Sequence, residues 1–183
     1  MNIFVKITAF SFAAVLFFSC GRNRIDVISA VEDRSNLPSL HSVEVTELIS
    51  DSGITRYRIS TPLWDVFDKA DPPYQEFPEG IHLERFDTDL NVDANIHSKY
   101  AKYHEKEEIW ELRGNVDATN LDGERFETER LFWDQRKERI YSDTLIKITQ
   151  SDQILYGEGF ESNQSLSKYV VNKSYGTFAV ETD

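Results

Sequence analysis

The chain has 183 residues, 32 acidic against 20 basic side chains, a net charge of −12 and 13% aromatics. That balance argues against nucleic acid as a partner, since a phosphate backbone is held by surplus Lys and Arg. It argues equally against a basic patch lying flat on an anionic membrane.

Taken in chain order, the first segment is a leader. Lys6 is the only charge before Arg22, and an apolar or small-residue run extends from Ala9 to Phe18. A run of about ten apolar residues is too short to span a bilayer and fits a signal-peptide core. Cys20, the only cysteine, follows Ser19 directly. This end resembles a bacterial lipobox, in which the thiol is alkylated with diacylglycerol and becomes the mature N-terminus. The alternative is a free cysteine at the end of a cleaved secretory signal. Acylation of Cys20 leaves no thiol for a disulfide, for thiol catalysis or for a zinc site. Residues 1–19 are thus expected as signal, 20–42 as a polar tether too poor in apolar surface to fold alone, and 43–183 as one domain.

All five prolines of the chain fall at or before Pro78. A proline-free second half suits continuous strands, because Pro cannot donate to a ladder. Val45-Thr46, Asp51-Ser52-Gly53 and Trp64-Asp65 parallel Ala118-Thr119, Asp122-Gly123 and Trp133-Asp134, as if one hairpin unit were used twice. Asp87 to Asp93 starts like a calcium loop, but Val92 stands where a loop glycine is needed and Ser98 where the bidentate Glu belongs. Leu90, Val92, Ala94 and Ile96 alternate with acids and amides, so a strand with a solvated face is expected there. His97 and His104 match no metal spacing.

From Trp110 to Ala118 even positions are apolar or small and odd ones polar, the period of a strand with one wet face. Asp122-Gly123 supplies a tight turn, a second run follows from Arg125 to Asp134, and Gln135 to Glu138 turns again. Ile140 to Gln150 and Ile154 to Phe160 complete four strands in series. Gly157-Glu158-Gly159 is too short to cradle phosphate and reads as a bulge or close approach. Paired acids such as Glu127 and Glu129 lie on the outward phase, and no nucleophile elbow occurs. No catalytic residue, metal ligand or cofactor is therefore assigned, and the chain is expected not to be an enzyme.

Gly114-Asn115-Val116, Asp122-Gly123, Phe126-Glu127-Thr128, Leu131-Phe132-Trp133-Asp134, Ile140-Tyr141-Ser142-Asp143 and Tyr156-Gly157-Glu158-Gly159-Phe160 follow one another at hairpin spacing. In this order they resemble the LptC family, the periplasmic component of the lipopolysaccharide export ABC transporter, and related OstA-like domains. The resemblance implies an all-β fold, a single open, twisted β-jelly roll of antiparallel strands. It also implies a periplasmic site at a bacterial membrane, the inner one before the outer, and partners in lipid A, the transporter permeases and a periplasmic bridge jelly roll. Known members use an uncleaved membrane helix, whereas this N-terminus reads as a lipid anchor.

The groove implied for the acyl chains would be lined by Tyr57, Ile59, Leu90, Val92, Trp110, Leu112, Val116, Phe126, Ile146, Ile148 and Phe160. The bland reading of the same residues is the closed core of a small sandwich. Tyr169, Val171, Phe178 and Val180 would form a terminal edge able to add a partner strand. Gly114, Gly123, Gly157 and Gly159 are expected to shape turns and bends. Two other functions use the same pattern: a carrier of another lipid, with a closed barrel, and a carbohydrate-binding scaffold, with exposed Trp64, Trp110 and Trp133.

Overall fold

A computed structural model of the protein describes residues 36–178, the last of them by its backbone alone. Cys20, the expected signal and most of the expected tether lie outside these residues, as does Val180. The described residues form twelve strands in one antiparallel sheet: β1 (Leu40–Asp51), β2 (Ile54–Phe67), β3 (Tyr74–Phe77), β4 (Ile81–Phe86), β5 (Val92–Ser98), β6 (Tyr100–His104), β7 (Ile109–Asn120), β8 (Arg125–Asp134), β9 (Arg139–Thr149), β10 (Gln153–Asn163), β11 (Tyr169–Val171) and β12 (Tyr175–Phe178).

Several of these are halves of one ribbon. β3 and β4 both run antiparallel to β2, at Asp65–Phe67 and Tyr57–Ser60 respectively. β5 and β6 share β7 in the same way, and β11 and β12 share β10. The fold is therefore a meander in which each ribbon pairs with its neighbour in sequence. Among the described residues, β1 pairs only with β2, while β11 and β12 pair only with β10, so both edges are open.

The breaks in the ribbons lie at one level and crease the whole sheet. Glu44 takes φ +51° opposite Pro62, whose missing N–H interrupts the ladder. Thr61 Oγ1 donates to Gly80 O at 2.8 Å, and a Cβ on Gly80 would lie 2.6 Å from Ser98 O. Lys99 N then bonds Gly114 O at 3.0 Å. Register shifts follow between Arg113 and Val116, between Thr128 and Phe132, and between Glu158 and Phe160. Here hydroxyls stand in for lost ladder bonds: Thr128 Oγ1 donates to Leu145 O at 2.8 Å and Ser142 Oγ to Arg130 O at 2.7 Å.

Folded along this crease, the sheet brings its two halves face to face. One layer holds the first half of β2, β4, β5, β12 and the outer halves of β7 to β10 that pair with them. The other holds β3, β6, β11 and the remaining halves. Contacts across the gap include Tyr57 on Trp133, with ring centroids 4.9 Å apart, and Phe126 edge-on to Tyr169 at 5.2 Å. Gln150 Nε2 donates to Tyr169 Oη at 2.7 Å across the same gap. The result is all-β, an open jelly roll with its apolar core between the layers.

Local departures from the sequence reading have simple causes. The sheet begins at Leu40 rather than 43, because Leu40 to Ser42 pair with Val66 to Trp64. The strand expected through Leu90 starts only at Val92: Asp87 Oδ1 accepts the N–H groups of Asp89 and Asn91 at 2.8 and 2.9 Å and closes a turn. Leu90, at φ +65°, is consequently 61% exposed and lines no interior, and Val92 sits half out at 36%. His97 lies on β5 and His104 on β6, and His97 stacks on His82.

Candidate functional site

The interior between the layers is the candidate site. Of the residues named for a groove, Ile59, Trp110, Leu112, Val116, Phe126, Ile146, Ile148 and Phe160 are buried in it, and Tyr57 is partly buried. Leu90 and Val92 are not brought to it. Sequence reasoning missed Phe77, Leu83, Ile96, Leu131, Trp133 and Ile140, all buried in the same cluster. The inward phase of β8 changes at the crease, from Phe126 and Thr128 to Leu131 and Trp133. A constant period of two therefore loses half of that strand, although Thr128 followed three places later by Leu131 is itself a signal of a bulge.

An aromatic series runs through the interior. Trp64 stacks on Phe77 with centroids 5.9 Å apart, Phe77 meets Trp110 at 5.2 Å, Trp110 stacks on Trp133 at 6.4 Å, and Trp133 meets Tyr57. One end opens into a cleft of about 300 Å³ lined by Ile49, Ile59, Trp64, Phe77, Tyr103 and Trp110. The other end narrows to a hollow of about 20 Å³ beneath Tyr57 and Gln164. The indole N–H groups of Trp110 and Trp133 are buried without an acceptor, a condition that costs about 1–3 kcal/mol for each group. With both rings only 4–5% exposed, neither can serve as a surface platform for sugars.

Polar control sits at the narrow end. Tyr57 Oη donates to Gln164 Oε1 at 2.6 Å, and burial raises the Tyr57 pKa, so the phenol stays a neutral donor. Tyr169 is likewise pushed up to about 12, chiefly by burial and then by Glu124, and its hydroxyl bonds Glu124 Oε1 at 3.1 Å. Outside, the faces carry cross-strand pairs such as Lys147 with Glu127 at 2.7 Å and Arg130 with Asp143. Exposed pairs of this kind contribute about 0–1 kcal/mol each and keep the outer surface wet.

The edge residues divide. Tyr169 and Val171 lie on β11 but turn inward against the core, leaving backbone rather than these side chains at the rim. Phe178 ends β12, and Val180 lies outside the described residues. Gly123 takes φ +77° in the Asp122-Gly123 turn, and Gly114 and Gly159 take φ +76° and +94° at the crease. Gly157 instead allows close approach, since a Cβ there would lie 2.1 Å from Val171 Cγ1. Among the described residues no group of acids, histidines or cysteines is placed to hold a metal. The interior is an apolar cluster with few polar groups, rimmed by the hydroxyls of Tyr57 and Tyr169.

No curated protein matches the chain. The model of the family described as LptC, lipopolysaccharide-assembly, LptC-related, matches residues 9–174. The chain belongs to this family, whose members are non-enzymatic components of lipopolysaccharide transport on the periplasmic side of the inner membrane.

Proposed function

We propose, with membership of that family as the premise, that this chain is a link in the lipopolysaccharide bridge. Lipid A acyl chains enter the space between the two layers from the membrane-embedded permeases and leave it for the jelly roll of a periplasmic partner. The observation that carries this reading is the apolar interior of a sheet whose two edges are both open among the described residues. Burying acyl chains yields about 25 cal/mol per Å² removed from water. The open edges offer unpaired backbone to neighbouring sheets, β1 at one side and β11 with β12 at the other. No phosphate-cradling ATPase motif occurs in the sequence, so movement is driven by the transporter. Acylated Cys20 would hold the domain at the membrane in place of a membrane helix.

The test is site-specific photocrosslinking in cells. A photoreactive residue at Val116, which is 1% exposed and faces inward, is expected to crosslink to lipopolysaccharide. One at Asp117, whose carboxylate pairs with Arg125 on the outer face, is expected not to. Equal labelling at both positions, or none at either, would count against the groove.

A further inference from the structure

We infer that the loop from Asn163 to Lys168 is a strap that closes the interior, with Leu166 filling a place that an acyl chain takes when the layers part. This rests on the reading of the interior as a lipid site.

The strap leaves the end of β10 and crosses to the facing layer. There Tyr57, Arg85, Ala94 and Asn120 are successive partners in one transverse row of β2, β4, β5 and β7. Gln164 is tied to the first of them through the Tyr57 hydroxyl. The carbonyl of Leu166 is tied to the last, accepting from Asn120 Nδ2 at 3.0 Å. The loop thus spans the mouth of the layer from β2 to β7, and the 20 Å³ hollow lined by Tyr57, Ala94, Ile96, Trp133 and Ile140 lies under it.

Leu166 is the informative residue. In a loop of Asn, Gln, Ser and Lys it is the one apolar side chain, and it is fully buried in the core cluster. It takes φ +57°, a conformation that disfavours a residue with a Cβ. The strap's shape does not depend on that side chain: Asn163 Oδ1 accepts the N–H groups of Ser167 and Lys168 at 3.0 and 3.1 Å, and Asn163 Nδ2 reaches Ser165 and Ser167. A self-supported polar loop therefore delivers one leucine into an interior whose remaining hollow at that end is too small for a lipid chain. Two hydrogen bonds and one side chain hold the seam, a closure that an entering chain can displace.

The test uses the full chain in nanodiscs with 12-bromododecanoate as the entering chain, read as bromine quenching of Trp110 and Trp133. Leu166→Gly, which removes the plug and suits the positive φ, is expected to raise the initial quenching rate at least threefold over the unmodified chain. Tyr57→Phe and Gln164→Ala, which cut one tie, are expected to fall between the two. Unchanged rates in all three variants overturn the strap, and lipopolysaccharide crosslinking at Val116 in the same preparations would then leave the groove reading standing. Faster quenching without any crosslinking keeps the strap and overturns the lipopolysaccharide assignment. If Leu166→Gly fails to fold, Gln164→Ala decides: faster quenching supports the strap, and an unchanged rate overturns it.

Discussion

Gly157 shows how much a single missing Cβ contributes to this fold. The sequence reading gives Gly157-Glu158-Gly159 a bulge or a close approach, and the two glycines divide these roles, with Gly159 at the bend at φ +94° and Gly157 at the close approach. Gly157 has an ordinary strand conformation, but a Cβ would press on Val171 Cγ1 and lie 2.8 Å from Asn172 O. Overpacking of this kind costs about 1–3 kcal/mol. Gly157→Ala is therefore expected to lower stability by that amount in urea denaturation, and Val171→Ala in the same chain is expected to recover part of it. The backbone clash with Asn172 limits the recovery. Strictly additive effects of the two substitutions would show that Val171 is not what Gly157 accommodates.

At the scale of elements, the crease decides what the sequence could reveal. Alternation in Trp110 to Ala118 and in Ile140 to Gln150 is plain, because both strands keep an even inward phase through the crease. Trp110, Leu112, Val116, Ile146 and Ile148 are readable for that reason. Trp133 and Leu131 are not, since β8 changes phase, and Leu90 misleads because Asp87 ends the alternation in a side-chain-closed turn. Leu166 has no periodic signal at all: its burial comes from a polar loop reaching across to Tyr57 and Asn120. The crease is itself a polar device in a largely apolar setting. Thr128, 7% exposed, bonds Leu145 O, Thr144 Oγ1 at 2.9 Å and Ser142 Oγ at 3.2 Å. Thr128→Val keeps the volume and strips the hydroxyl, leaving buried acceptors unpaired at about 1–3 kcal/mol. A loss in that range is expected by chemical denaturation, with less than about 1 kcal/mol for Thr144→Val, whose site is only half-buried. Equal effects at the two threonines would mean that the network, rather than burial at Thr128, sets the cost.

At the scale of the whole molecule, a creased sheet with two open edges needs to be held in register with its neighbours. The family match begins at residue 9, inside the apolar run that precedes Cys20. That run is too short to cross a bilayer, and we propose that acylated Cys20 is the anchor instead, since two acyl chains on one cysteine hold far more firmly than one. Cys20→Ala is expected to abolish labelling by a palmitate analogue and to accumulate precursor retaining residues 1–19, measured by mass spectrometry. The folded domain should keep its melting temperature, because the strands from Leu40 onward pair with one another. Normal processing and undiminished membrane retention in Cys20→Ala would defeat the lipid anchor. Lost processing with intact lipopolysaccharide crosslinking at Val116 would show that the sheet finds its partners through its edges without it.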